Sequence, residues 1–249
     1  RYVYIWADGV YLQARMEPVA ECMLVIIGAT PEGRKELVGF QVSVRESAQS
    51  WRELLIDIQA RGLAIAPELA VADGAPGFWK ALEEVFPTTR HQRCWHHKAV
   101  NALNKVTKSI QPAIKQDLRE IWMAPDRAVA ETALATFDKK YAAKYAKAVE
   151  CLTKDREALL AFYDFPAEHW DHVRTTNPIE SVFATVRHRT IRTKGALSQE
   201  TAKLMVFKLI TAAKTWRRLQ GENQLPKVIQ GVTFRDGIEV TDTASQNAA

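Results

Sequence analysis

The sequence contains little cysteine and has no long apolar stretch. Its three cysteines, Cys22, Cys94 and Cys151, are odd in number and far apart, so no disulfide framework is expected and a reducing compartment fits. No segment approaches the roughly 20 consecutive apolar residues that a membrane-spanning helix needs. The first residues read as a strand and lack the charged and apolar regions of a signal peptide. These absences exclude disulfide-rich secreted modules and membrane-spanning proteins.

An initiating methionine is also absent, because the chain opens at Arg1. We therefore expect a fragment that lacks an N-terminal portion. The 249 residues, 47% of them apolar, suffice for one large domain or for a domain that carries an insertion. A net charge of +5 favours an anionic partner such as nucleic acid.

The first third of the chain has the pattern of an α/β domain. Short runs of alternating or continuous apolar residues predict strands at residues 2–13, 21–29, 37–44, 69–72 and 88–94. Helices are predicted between the later strands. The first opens at the capping-box match of Ser50 with Glu53 and ends at Gly62, and the second starts near Pro76. This order predicts an antiparallel meander followed by two strands that are reached through helical crossovers.

The middle of the chain is predicted to be all-helical. From about residue 98 to 165 the apolar side chains repeat at helical spacing, and no strand pattern is found. The lysines of this segment occupy other faces, at Lys139, Lys140, Lys144 and Lys147. A solvent-exposed face is the simpler interpretation of these lysines, and a DNA groove is the alternative. A further amphipathic helix is predicted at 198–219, an extended stretch from Pro226, and a polar tail at 241–249.

Two segments of the chain share one local plan, an apolar strand that ends in Ala-Asp-Gly. The first contains Asp8 and the second contains Asp73. In a sheet where the later strand returns beside the first, the two carboxylates converge. The alternative for Asp8 is a hairpin turn, because Asp-Gly is a strong turn signal.

A third carboxylate belongs to the stretch Arg174-Thr-Thr-Asn-Pro-Ile-Glu-Ser181. Asn177 is a candidate helix N-cap and Pro178 suits the first helical position, which places Glu180 in the first turn. Glu180 is either one half of an ordinary capping box or a ligand. Three carboxylates from distant segments are the hard oxygen ligands that two Mg²⁺ ions need for displacement at phosphorus.

Several motifs together make the sequence recognisable. It resembles the catalytic part of the bacterial insertion-sequence transposases of the Mutator type, which are members of the DDE superfamily. The motifs come in the family's order: Trp6-Ala-Asp8-Gly, Val71-Ala-Asp-Gly-Ala-Pro-Gly77, Arg93-Cys-Trp-His-His-Lys98, Thr175-Thr-Asn-Pro-Ile-Glu-Ser181, Val186-Arg-His-Arg189, Arg192-Thr-Lys-Gly195 and Trp216-Arg-Arg218. Each motif alone is weak, but the ordered set covers nearly the whole chain.

The resemblance implies a fold, a site and partners. The fold is α/β, with a ribonuclease-H-like mixed five-stranded sheet flanked by helices and an all-helical insertion. We divide the chain into the first part of the catalytic core at 1–97, the insertion at 98–168, the remainder of the core with the Glu180 helix at 169–220, and a C-terminal extension and tail at 221–249. Asp8, Asp73 and Glu180 become the catalytic, metal-binding triad for Mg²⁺, with Mn²⁺ as a substitute.

The partner implied by the resemblance is double-stranded DNA, both transposon ends and target. A homodimer or larger assembly on that DNA and a cytoplasmic, nucleoid-associated location are also expected, with no membrane partner. The family has a site-specific DNA-binding region upstream that this chain lacks. The basic residues after Glu180 are expected to contact DNA phosphates, namely Arg187, Arg189, Arg192 and Lys194.

Cys94 and His97 match the C-x-x-H signature of the family. They have three open roles: holding the strand end against the helical segment in support of the acids, contacting a phosphate near the metals, or binding a structural Zn²⁺ with His91, a set to which the pair His169 and His172 could be added. The acids left without an assigned role are Glu17, Glu21, Glu46, Asp57 and Asp164.

Two other functions compete with a transposase that cleaves DNA and joins the 3′-hydroxyl to a target. One is a ribonuclease-H-like nuclease that only hydrolyses, and the other is a non-catalytic DNA-binding remnant of a transposase. The sequence does not distinguish the transposase from the nuclease, because both use the same metals.

Overall fold

The computed structural model describes residues 1–12, 21–180, 200, 204, 207 and 217–241. The first part of the chain forms the elements β1 (Tyr4–Leu12), β2 (Glu21–Ala29), β3 (Lys35–Ser43), α1 (Ala48–Ala60), β4 (Leu69–Ala72), α2 (Pro76–Val85) and β5 (Arg90–Arg93). The helical segment contains α3 (Trp95–Leu103), α4 (Gln111–Trp122), α5 (Arg127–Thr153), α6 (Arg156–Leu160) and α7 (Trp170–Val173). The chain then forms α8 (Leu225–Ile229) and the hairpin of β6 (Phe234–Arg235) with β7 (Ile238–Glu239).

The main sheet has five strands in the order β3-β2-β1-β4-β5. β1, β2 and β3 pair antiparallel, whereas β4 lies parallel to β1 and β5 parallel to β4. The predicted fold class, an α/β protein with a mixed five-stranded sheet flanked by helices, is confirmed. The strand order is also consistent with the ribonuclease-H-like arrangement that the resemblance implied.

Successive side chains of β1 point to opposite faces of the sheet, and both faces are buried. Tyr4 and Trp6 belong to the cluster on one face, together with residues of the helical segment, and Ile5 and Ala7 belong to the cluster on the other face, with α1 and α2. Because the strand is covered on both sides, its residues are apolar at almost every position. Asp8 interrupts this pattern in the middle of the strand, paired with Val25. The strand interpretation of Asp8 is therefore correct, and the hairpin-turn alternative is wrong.

The helical segment packs directly on one face of the sheet. Its apolar residues share a single buried cluster with those of β1 and β4. The longest helix, α5, is kinked at Tyr145, whose φ of −129° and ψ of 45° are not helical. The Tyr145 hydroxyl lies 3.4 Å from the hydroxyl of Thr107. The kink changes the direction of the helix axis, and the second half of α5 lies beside α3.

Two local predictions need correction. The capping box of α1 is formed by Ser47 and Ser50, not by Ser50 and Glu53: the Ser47 hydroxyl accepts from the Ser50 amide at 3.1 Å, and the Ser50 hydroxyl accepts from the Ser47 amide at 3.0 Å. The stretch from Pro226 is extended only in its later part: Pro226 lies at the start of α8, where a missing amide hydrogen costs nothing, and the strands β6 and β7 follow. The predicted helix at 198–219 lies largely outside the described residues.

Within the described ranges, every helix is too short or too polar to traverse a lipid bilayer.

Candidate active site

Asp8 and Asp73 lie side by side on neighbouring parallel strands, Asp8 in the middle of β1 and Asp73 directly after the last residue of β4. The pairing of β1 with β4 runs from Tyr4 opposite Leu69 to Ala7 opposite Ala72, so the two aspartates come next in the same register. One Asp8 carboxylate oxygen accepts from the Gly9 amide at 2.9 Å, and one Asp73 carboxylate oxygen accepts from the Ala75 amide at 2.9 Å. The convergence predicted for the two Ala-Asp-Gly segments is therefore seen in the backbone.

The environment of Asp8 disfavours its negative charge. Burial raises the pKa of the Asp8 carboxyl to about 7, and the nearby carboxylates of Asp73 and Glu180 add to this increase, while His97 opposes it. Like charges raise a carboxyl pKa only when they lie close by. Asp8, Asp73, Glu180 and His97 therefore form one electrostatic group.

The loop that carries Asp73 is held by its own backbone oxygen. That oxygen accepts from the indole N–H of Trp79 at 2.8 Å and from the guanidinium of Arg93 at 3.0 Å. The Arg93 guanidinium also stacks over the Trp79 ring, 4.4 Å from its centroid. These contacts join β4, α2 and β5, so the Asp73 side chain projects from a rigid base.

The chain that carries Glu180 docks on the junction of β5 and α3. The Cys94 amide donates to the Ala72 carbonyl at 2.8 Å, and the Trp95 amide donates to the Arg174 carbonyl at 3.0 Å. The Cys94 sulfur accepts from the Thr176 amide at 3.3 Å. Cys94 and Trp95 thus connect the end of the sheet with the segment that leads to Glu180.

Glu180 is oriented by Thr176 rather than by a capping box. The amides of Ile179 and Glu180 donate to the Thr176 carbonyl at 2.9 and 3.0 Å, so Thr176 caps the helical turn 177–180. The predicted cap at Asn177 is wrong by one residue. The fully buried Thr176 hydroxyl donates to a Glu180 carboxylate oxygen at 2.7 Å. That bond positions the carboxylate toward His97, whose Nδ1 lies 3.8 Å from the same oxygen.

The surroundings of His97 favour the protonated form of its ring. Its pKa is raised to about 9, first by a hydrogen bond with Cys94 and then by the charges of Cys94, Asp8 and Glu180, against the effect of burial. Its Nδ1 also lies 3.4 Å from the Thr176 hydroxyl. In its protonated form, the ring would offset part of the negative charge of the carboxylates. This contact pattern supports the role of Cys94 and His97 in holding the site together.

One set of side chains among the described residues meets the distance requirement for a shared metal ion. The ligand atoms of Cys94, His97 and Glu180 all lie within 4.8 Å of one another. Asp8 and Asp73 do not join this set at that distance. Their carboxylates are the hard oxygen ligands that Mg²⁺ prefers, and with Glu180 they would hold such an ion. The acids fit magnesium by their chemistry, and their role as its ligands stays a prediction.

The larger zinc set considered from the sequence is not assembled. His91 stacks on Trp79 with centroids 4.7 Å apart. His169 is hydrogen-bonded to the Tyr4 hydroxyl at 2.8 Å, and His172 accepts from the Gln220 amide at 3.1 Å. These three histidines therefore have other partners.

Glu46 is a nearby acid to which the sequence assigned no role. It lies in the connection between β3 and α1, where its carboxylate would be 3.0 Å from a Cβ placed on Gly9, the residue after Asp8. The Trp51 indole N–H donates to it at 2.8 Å. Burial and the charge of Asp73 raise the pKa of the Glu46 carboxyl, while the Trp51 bond lowers it. No local pattern marks Glu46, because its place beside Asp8 depends on how α1 docks.

The predicted DNA-contacting residues Arg187, Arg189, Arg192 and Lys194 lie outside the described residues. Their assignment stays a prediction.

Comparison with known proteins gives a consistent set of relatives. The sequence profile of the family described as "Transposase, Mutator family" matches residues 1–218. The transposase for insertion sequence element IST2 of Acidithiobacillus ferrooxidans is 55% identical over 218 residues, which cover 87% of this chain and 74% of that protein. The transposase for insertion sequence element IS6120 of Mycolicibacterium smegmatis is 48% identical over 237 residues, which cover 95% of this chain and 73% of that protein.

Among solved structures, a chain from the intasome of simian T-cell lymphotropic virus in complex with PP2A regulatory subunit B56 gamma has a TM-score of 0.29. It is 11% identical and covers 59% of this chain and 46% of that chain.

Proposed function

This chain belongs to the Mutator family of transposases, and on that premise we propose that Asp8, Asp73 and Glu180 form its active site for DNA strand cleavage and strand transfer. The observation that carries this proposal is the electrostatic coupling of three acids from distant segments. Burial is the main reason why the pKa of the Asp8 carboxyl is raised, and the charges of Asp73 and Glu180 add to the increase. A divalent cation bound among these carboxylates would offset their mutual repulsion.

Divalent Mg²⁺ or Mn²⁺, when bound by these carboxylates, supplies the Lewis acidity for displacement at phosphorus. The residues of the chain do the remaining work. Asp8 and Asp73 are fixed by β1 and β4, and Thr176 orients Glu180. His97 places a positive charge where a phosphate approaches the acids.

The proposed reaction has two displacements of the same kind. In the first, a water oxygen bonds to a phosphorus at the end of the element, and the bond to the 3′-oxygen breaks to release a 3′-hydroxyl. In the second, this 3′-hydroxyl bonds to a phosphorus of target DNA and a new 3′-hydroxyl leaves. Each step forms one P–O bond and breaks one, and the proton of the attacking water or hydroxyl ends on the leaving 3′-oxygen. Hydrolysis is favourable in water and strand transfer exchanges one phosphodiester for another, so no further energy source is needed.

The test uses DNA duplexes that reproduce the pre-cleaved ends of the element encoding the chain. With Mg²⁺, and with a supercoiled plasmid as target, we expect products in which the duplex is covalently joined to the plasmid, and their loss when EDTA is added. Products of hydrolysis alone would contradict strand transfer and favour a nuclease. Joining that is unaffected by EDTA would contradict the role of the acids as metal ligands.

A second prediction concerns Thr176. Replacing it by Val keeps the volume but removes the hydroxyl that holds Glu180, and we expect the cleavage rate to fall about tenfold because a misplaced catalytic group costs on this scale or more. Thr176→Ser keeps the hydroxyl and should retain most of the activity. DNA affinity, measured in parallel by fluorescence anisotropy, should be the same for both. Equal cleavage rates for the Val and Ser variants would show that the Thr176 bond does not position Glu180.

A further inference from the structure

A lysine-lined cleft begins at Asp73 and runs between α3 and the second half of α5. Its volume is about 500 Å³. We call it the lysine cleft and define it by the residues Asp73, Lys98, Lys105, Lys147, Lys154 and Asp155. Asp73, the proposed metal ligand, therefore lies at one end of the cleft. The other end opens between two helices of the inserted segment.

The cleft has two walls, one formed by α3 and one by α5, and helical spacing places two lysines on each wall. Lys98 and Lys105 are seven residues apart and follow one face of α3 into the turn after it. Lys147 and Lys154 have the same separation on α5 and the turn that follows. Side chains seven residues apart on a helix share a face. The kink at Tyr145 comes just before Lys147, so the second helical direction of α5 forms this wall.

The charges in the cleft are of three kinds: the buried pair of Lys98 with Asp155, the three exposed lysines, and the carboxylates of Asp73 and Glu150, which also line the cleft. Lys98 is almost fully buried and is paired with Asp155, and the Arg93 guanidinium lies 4.0 Å from the same carboxylate. This pair ties α3 to the end of α5 and is neutral as a unit. By contrast, Lys105, Lys147 and Lys154 are exposed and have no ion pair or hydrogen bond from their side chains to any part of the chain that the structure describes.

The lysine cleft differs from the other lysines of the helical segment. Lys140 is paired with Asp117 at 2.6 Å, and Lys144 lies over the Tyr145 ring. The lysines that the sequence analysis assigned to one solvent-exposed face therefore fall into separate groups. Lys147 belongs to the cleft beside Asp73, whereas Lys140 and Lys144 have partners elsewhere.

We propose that the lysine cleft binds the phosphate backbone of the DNA strand that leads away from the scissile phosphate. This inference rests on the proposed function, because it takes Asp73 as the place where the reacting phosphate lies. Unpaired ammonium groups along an open groove attract a chain of phosphates and contact it without reading its bases. The neutral pair of Lys98 with Asp155 keeps the walls at a fixed separation and leaves the other three lysines for DNA.

The test compares two triple variants of the 249-residue chain that remove the same charge. The first is K105A/K147A/K154A, in the lysine cleft. The second is K108A/K115A/K139A, which changes exposed lysines of the helical segment that do not line the cleft. Binding to a fluorescein-labelled DNA duplex is measured by anisotropy in EDTA over a series of NaCl concentrations, so that no cleavage takes place.

We expect the cleft variant to bind about 10- to 100-fold more weakly than the unmodified chain at low salt. Its plot of log affinity against log salt should be shallower by about 2–3, since each lost phosphate contact reduces the slope by roughly 0.9. The control variant should stay within about threefold. The variant K105R/K147R/K154R keeps the charge and should restore binding.

Equal affinities and salt slopes for the two alanine variants would overturn the inference, as would an unmodified chain that does not bind the duplex. Both of these outcomes are measured by binding in EDTA and do not depend on cleavage. A failure of the proposed active site would instead appear as Mg²⁺-dependent cleavage that survives removal of the acids, so the two failures are distinguishable. Thermal unfolding of all variants should be unchanged, because the substituted lysines are exposed.

Discussion

Replacing Asp8 by Asn is expected to slow Mg²⁺-dependent DNA cleavage by about 1000-fold, because it removes a proposed anionic ligand of the divalent ion that stabilises the negative charge developing on the phosphate. Asn has nearly the same shape as Asp, so the strand pairing of β1 should be kept. The same reasoning applies to Asp73→Asn and Glu180→Gln. DNA binding in EDTA should remain measurable for all three variants, since the acids are not expected to supply affinity.

The Asp8→Asn variant should also be more stable than the unmodified chain when metal is absent. The pKa of the Asp8 carboxyl is raised to about 7 from an ordinary value of 3.8, chiefly by burial. The folded chain therefore holds this proton over a pH range in which the unfolded chain has released it. Its free energy of unfolding should fall as the pH rises from about 4 through 7.

The expected gain for Asn at pH 8 in EDTA is about 1–3 kcal/mol, which is less than the pKa change alone would give because the carboxyl keeps some contact with solvent. The gain should shrink as the pH is lowered toward 4. Urea unfolding at several pH values, combined with a plasmid-nicking assay, measures both effects.

Asp57→Asn is the matched control for this experiment. Asp57 is exposed on α1 and forms a surface ion pair with Arg61 at 2.8 Å, so its replacement should change neither cleavage nor stability by much. Full cleavage by the Asp8→Asn variant would refute the active-site assignment. A loss of stability at pH 8 would refute the electrostatic account of Asp8.

The sheet and its acids were accessible from the sequence because they depend on local patterns. Continuous apolar residues in β2 and β4 indicated buried strands, and the order of elements indicated the crossovers that bring β4 beside β1. The repeated Ala-Asp-Gly plan then placed Asp8 and Asp73 at the same sheet edge. These inferences needed only periodicity and the right-handed connection of parallel strands.

The contacts that complete the site were not accessible, because they depend on how separate segments dock. No role of its own was assigned to Thr176 from the sequence, yet the docking of 174–176 on Cys94 makes it the cap and the partner of Glu180. Glu46 reaches Gly9 only because α1 packs against α2. Lys147 enters the lysine cleft only because α5 is kinked.

Gly77→Ala is expected to destabilise the fold by about 2–3 kcal/mol, because the new methyl group has no room. A Cβ at Gly77 would lie 2.9 Å from the backbone nitrogen of Ala48 and 2.9 Å from the carbonyl carbon of Ser47. Both atoms belong to the start of α1, where the Ser47 capping box fixes the backbone. A backbone held in this way does not yield as a flexible side chain would. The glycine is therefore required by the close approach of α2 to α1.

The same clash should reach the active site, since α2 follows the Asp73 loop directly and Trp79 holds the Asp73 carbonyl at 2.8 Å. We expect the melting temperature of the Gly77→Ala variant to fall by roughly 5–10 °C, with a lower cleavage rate even at temperatures where it is folded. Gly74→Ala is the matched control, because a Cβ there meets no atom within 4 Å, and its stability should change by no more than about 0.5 kcal/mol. Differential scanning calorimetry separates the two variants. Equal melting temperatures would mean that α1 can move away from α2, and that the glycine in this motif is not needed for space.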